Sequence, residues 1–201
     1  MTVRPRSSLP LATLGPLLAL LAASCEREPL DCTRLAPGDL ALSEIRGEQS
    51  AEDSGGQWIE LYNTTDAAIE LSGVTLRLLK LDGSGEAEIR IRDLGLKVGP
   101  GEYAVLGRFD AASAPSHIDY AFADDFDSDL YPDAVIEVIA CAAVVDRVVY
   151  HNLPQAGTLA FDGGRALTAE ANDDEAAWCT DDRLQGTSYW GTPGESNATC
   201  D

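Results

Sequence analysis

Gln57-Trp-Ile-Glu-Leu-Tyr-Asn63 sets two aliphatic residues, Ile59 and Leu61, against Trp58, Glu60 and Tyr62, and Asn63-Thr-Thr-Asp66 then offers a turn. A period of two puts successive side chains on opposite faces of a strand. Ile59 and Leu61 are therefore expected to face a core. Trp58 and Tyr62 are expected to pack as well, since aromatic residues in strands mostly do. Glu60 lies between them and reads as a half-exposed acid hydrogen-bonded to a turn backbone. A buried acid that pairs with a ligand is the other reading.

Working outward, the same alternation recurs. Upstream, Asp39-Leu-Ala-Leu-Ser-Glu-Ile-Arg46 places Leu40 and Leu42 on one face. Downstream, Val74 to Leu81 and Glu86 to Arg92 are two strands joined by the hairpin signal Asp82-Gly-Ser-Gly85. Lys97-Val-Gly-Pro-Gly101 reads as a turn before a strand from Glu102 to Leu106. Ile118 to Ala123, Ala134 to Ala140, Val144 to Tyr150 and Thr158 to Phe161 complete the series. Short strands at even spacing, without a 3.6-residue stripe, predict an all-β, antiparallel β-sandwich. The stretch from Arg165 to Asp201 is polar and is expected to need cysteines to hold it down.

The composition narrows the function classes. Thirty-four acidic and 14 basic residues in 201 give a formal net charge of −20. Such a chain repels phosphate backbones, which argues against nucleic acid as a partner. Two histidines leave little material for a histidine-built metal or catalytic site. Hydrophobic residues at 45% are enough for a core.

The first 24 residues read as an export signal. Arg4 and Arg6 precede an apolar run from Leu9 to Ala23, which Pro10 and Pro16 interrupt. The run is too short to cross a hydrocarbon core of ~30 Å. Leu21-Ala-Ala-Ser-Cys25 resembles a bacterial lipobox, which implies acylation of Cys25 as the first mature residue. Removing residues 1–24 takes away Arg4 and Arg6 and moves the charge from −20 to −22. Residues 25–38 then read as a polar tether and residues 39–201 as the folded domain. The expected location is the bacterial cell envelope, with a lipid anchor as the only membrane contact. Setting Cys25 aside leaves Cys32, Cys141, Cys179 and Cys200, an even set suited to two disulfides in an oxidising compartment. Three pairings are open. Cys179 with Cys200 would tie down the polar tail, and Cys32 with Cys141 then follows.

Six blocks together resemble a lamin tail domain: Gly38 to Glu44, Gln57 to Asn63, Leu71 to Leu76, Val98 to Gly107, Val145 to Tyr150, and Gly191-Thr-Pro-Gly-Glu-Ser-Asn197. They stand in that family's order and cover roughly residues 38–197. The resemblance implies an immunoglobulin-like sandwich that is a non-catalytic adhesion or targeting module, here binding a protein or glycan at the cell surface. It implies no catalytic residues. The oligomeric state is left open.

Chemistry outside that resemblance has one main candidate. Asp125, Asp127 and Asp129 form a D-x-D-x-D run in the most acidic stretch, Asp124 to Asp133, and three carboxylates in a loop suit calcium. Leu130 and Ile136 stand where an EF-hand needs glycine and glutamate, so a solvated acidic loop is the competing reading. Asn172-Asp-Asp-Glu175 with Asp181-Asp182 is a looser second cluster. His151 follows Asp146 by five residues, but the chain has no Gly-x-Ser-x-Gly elbow. The alternatives to a binding module are an extracellular hydrolase using paired carboxylates and a calcium-dependent glycan-binding module. A convergent pair of perturbed acids in a cleft would favour the hydrolase.

Overall fold

A computed structural model describes residues 33–51, 55–185 and 189–201. The strands are β1 (Leu40–Arg46), β2 (Trp58–Asn63), β3 (Ile69–Glu70), β4 (Thr75–Lys80), β5 (Ala87–Arg90), β6 (Lys97–Val98) and β7 (Tyr103–Gly107). They continue with β8 (Tyr120–Ala121), β9 (Ala134–Ala140), β10 (Ala143–Tyr150), β11 (Thr158–Phe161), β12 (Trp178–Asp181), β13 (Leu184–Gln185) and β14 (Tyr189–Trp190). A six-stranded sheet has the order β12-β11-β1-β2-β7-β8, and a four-stranded sheet has the order β10-β9-β4-β5. Every pairing is antiparallel except β7 with β8. The fold is the expected all-β sandwich with a disulfide-held C-terminal tail.

The core lies between the two sheets. Leu42, Ile45, Ile59, Leu61 and Leu106 come from the six-stranded sheet, and Leu76, Leu78, Ile89, Ile136, Val138 and Val148 from the other. Each aliphatic side chain taken fully from water contributes about 1.5–3 kcal/mol, which makes this layer the main source of stability.

Strand β1 departs from simple alternation. Leu40 and Leu42 keep a period of two, but the next core residue is Ile45, three positions on. A β-bulge between Leu42 and Glu44 accommodates the extra residue, Ser43. Without it, Glu44 would share the core face with Leu42. With it, Glu44 stands opposite Glu60 on the outer face while Ile45 stands opposite Ile59. A second bulge lies in β10 between Val144 and Asp146. The Asp146 carboxylate accepts the Leu42 N–H at 2.7 Å and the Asn172 amide at 2.8 Å, which joins the two bulges and the tail.

Strand β1 is buried along its whole length, and in β2 only Tyr62 is partly exposed. The outer face of these two strands is therefore covered. The tail covers it: β12 extends the sheet from β11, and residues 189–197 cross the outer face of β1 and β2. The tail strands β12 to β14 and the short pair β3–β6 were not legible as strands, because they lack alternation or are two residues long. The expected strand at Ile118–Ala123 shrinks to β8, since Ile118 closes a turn on the Pro115 carbonyl and Phe122 bonds back to Gly107.

The Cys179–Cys200 bridge forms as expected, with 5.9 Å between Cα atoms. Cys141 is also disulfide-bonded, and its expected partner, Cys32, lies outside the described residues, as does Cys25. The last residues of the expected tether lie on the sandwich: Gly38 donates to the Val145 carbonyl at 2.8 Å, and Leu35 packs against the core.

Candidate functional site

The outer face of the six-stranded sheet carries the densest chemistry. Glu44 on β1 and Glu60 on β2 are directly opposed and both are 0% exposed. Glu44 accepts hydrogen bonds from the Thr158 hydroxyl on β11, the Trp58 indole N–H at 3.3 Å and the Thr192 backbone N–H at 3.1 Å. Glu60 accepts from the Ser43 hydroxyl and the Gly194 backbone N–H, both at 2.6 Å. Asn197 completes the attachment by donating its side-chain amide to the Ser43 carbonyl at 2.8 Å. Gly191-Thr-Pro-Gly194 is thus a turn that brings two backbone donors to two carboxyls.

Gly191 is required by close approach. Its φ is +102°, and a Cβ there would lie 2.6 Å from the Thr158 methyl and 2.7 Å from Glu44 Oε1. Only glycine combines that backbone conformation with that space.

Burial dominates the electrostatics. It raises the Glu44 carboxyl to about 7 against the hydrogen bonds that favour its charged form. Burial also raises Glu60 well above the ordinary range, with the Glu44 charge as the second cause. The half-exposed setting expected for Glu60 is corrected to full burial, because the tail lies over it. Its expected bond to a turn backbone is present, and the turn is Gly194.

Aromatic groups flank the pair. Trp58 meets His117 edge-on at 5.4 Å and Tyr189 at 5.8 Å, and the Arg46 guanidinium sits 4.9 Å from the Trp58 ring. Burial holds the His117 imidazole below its usual range, which favours the neutral ring. Beyond Gly194 an open cavity of about 700 Å³ is lined by Glu102, Tyr103, His117, Asp119 and Glu195 among others. The Tyr103 phenol at its wall is pushed up to about 12, chiefly by burial.

The residues singled out from the sequence go elsewhere. Asp125 accepts the Arg90 backbone N–H at 2.9 Å and pairs with Arg92. Asp129 accepts from the Gln57 amide at 2.5 Å and pairs with Arg108 at 2.8 Å. Near Asp127 it is the backbone carbonyl that takes the other arm of Arg108. The Asp125 and Asp129 carboxylates are thereby committed to separate partners, while Asp127 is exposed. In the looser cluster, Asn172 is buried, Asp174 caps a short 3-10 helix, and Asp181 holds Arg183. Among the described residues no group of three or more His, Cys, Asp or Glu side chains is arranged to hold a metal ion. His151 lies 3.7 Å from Asp133, while Asp146 is engaged with Leu42 and Asn172.

Glu44 was not singled out from the sequence. The signal was present in the spacing Leu40, Leu42, Ile45, whose change of phase marks a bulge and turns the intervening acid to the opposite face. Compared with known proteins, the chain matches no family model and no curated sequence.

Proposed function

We propose that this chain is a non-catalytic binding or structural module of lamin-tail type, held at a bacterial envelope membrane by lipid on Cys25. The observation that carries the reading is the use made of the two convergent acids. Glu44 and Glu60 are wholly buried and accept hydrogen bonds from neighbouring strands and from the tail, which is structural work. The Cys179–Cys200 bridge supports export to an oxidising compartment. Among the described residues no helix is long and apolar enough to cross a membrane, and a lipid anchor needs none. The ligand is a protein or glycan of the cell surface. Two measurements test the proposal. Mass spectrometry of the mature protein should find acylated Cys25. Pull-down from envelope extract, with and without calcium, should recover a saturable ligand, and recovery only with calcium would select the glycan-binding alternative.

A hydrolase using paired carboxylates is the second reading, favoured by the cavity with Glu102, Asp119 and Glu195 in its wall and Glu60 behind Gly194. It requires turnover of an envelope glycan by the purified chain, abolished in Glu60→Gln.

A further inference from the structure

We propose that Gly191–Asn197 is a pH-released clasp, which seals Glu44 and Glu60 while they are neutral and detaches from the outer sheet face as the pH rises. The geometry has three parts. First, two carboxyls from adjacent strands stand opposite each other on one face, and each is capped by a backbone N–H of the same seven residues. Second, the segment from Gly191 to Thr199 contains no aliphatic side chain larger than alanine or proline and no aromatic one. Its attachment therefore rests on polar contacts, which is the composition of an element that opens locally before the core does. Third, its far end is retained: Cys200 is bridged to Cys179, Gly163 donates to the Ala198 carbonyl, and Cys200 donates to Asp162. Opening is therefore a hinged displacement that hydrates the two acids without releasing the chain.

The neighbouring charges do not cancel the effect. Asp181 from β12 and Asp119 from the segment before β8 add negative charge at Glu44 and Glu60 respectively. Arg183 also feels Glu44, but its guanidinium is committed to both oxygens of Asp181. Tyr103 and Tyr189 face the pair from β7 and β14, and Arg46 lies over Trp58 beside it. An opened clasp returns both carboxyls to water, where the ordinary value is 4.5. The closed form then binds more protons than the open form, so the opening constant rises with pH above 4.5 and levels near 7 for Glu44.

Amide hydrogen exchange on the full-length chain, corrected for intrinsic rates, reads this directly. The opening constant at Thr192 and Gly194 should rise by about tenfold or more between pH 5.5 and pH 7. Amides of β9, which exchange through global unfolding, carry the same proton linkage but should keep far smaller opening constants at every pH. In Glu60→Gln the amide oxygen still accepts from Gly194 and its NH2 group donates to Ser43, and the logarithmic rise should fall to less than half. Protection at Thr192 and Gly194 that is flat with pH, or that equals that of β9 in magnitude, overturns the proposal. So does a Glu60→Gln profile that matches the wild type. If that variant does not fold, the wild-type profile alone decides.

Discussion

The loop from Asp124 to Asp133 holds five aspartates in ten residues, whereas the outer sheet face holds two glutamates sixteen positions apart in sequence. Yet it is the sparse pair whose protonation is most altered. In the loop each charge stays near water or meets a cation: Arg92 serves Asp125 and Arg108 serves Asp129. On the sheet, Glu44 and Glu60 lie in a dry layer between strands and tail, where the charged form loses its hydration and meets a like charge. The density of acids in a sequence therefore says little about where an acid is perturbed. What matters is whether a second layer of chain is laid over it.

Four substitutions break or sharpen this contrast. The largest effect is expected from Glu44→Ala, which leaves the Trp58, Thr158 and Thr192 donors without their acceptor. It should lose about 3–5 kcal/mol at pH 5, read by urea unfolding. A loss below 1 kcal/mol would mean that water replaces the carboxyl freely. Gly191→Ala comes next. A methyl group against Thr158 and Glu44 at positive φ should cost about 2–3 kcal/mol and lower the melting temperature.

The third prediction is a slope. A carboxyl raised in the folded state makes that state bind more protons than the unfolded chain, so its contribution to stability falls as pH rises from 4.5 to about 7. For Glu44 the whole fall is about 3 kcal/mol, as an upper figure. Glu60→Gln removes the acid held furthest above its ordinary range, and should reduce the wild-type fall between pH 5 and pH 7 to less than half. A slope equal to the wild type would place the source of the pH dependence elsewhere. The smallest effect belongs to the loop. Asp127→Ala should leave the urea midpoint within experimental error. Millimolar calcium and magnesium should shift the melting temperature equally, since Asp125 and Asp129 are held by separate arginines and Asp127 is exposed. A calcium-specific rise abolished by Asp127→Ala would reverse that reading.

The sandwich was legible because Ile59 and Leu61, Leu76 and Leu78, and Ile136 and Val138 keep a period of two and bury one face. Local alternation is enough to form each strand and aim it. The bulge at Ser43 was half legible, in the slip from Leu42 to Ile45. The Cys179–Cys200 bridge followed from a polar tail with no core of its own. The tail's second attachment was not legible. It rests on backbone N–H groups at Thr192 and Gly194, and every residue has such a group except proline.

Composition and periodicity thus determined the class of fold, the acidity and the inward face of each main strand, since these depend on neighbours along the chain. Tertiary structure alone decided which acids would be buried. That depends on residues 191–197 crossing strands laid down some 130–150 positions earlier, and only there does desolvation overcome the ordinary preference of a carboxyl for its charged form.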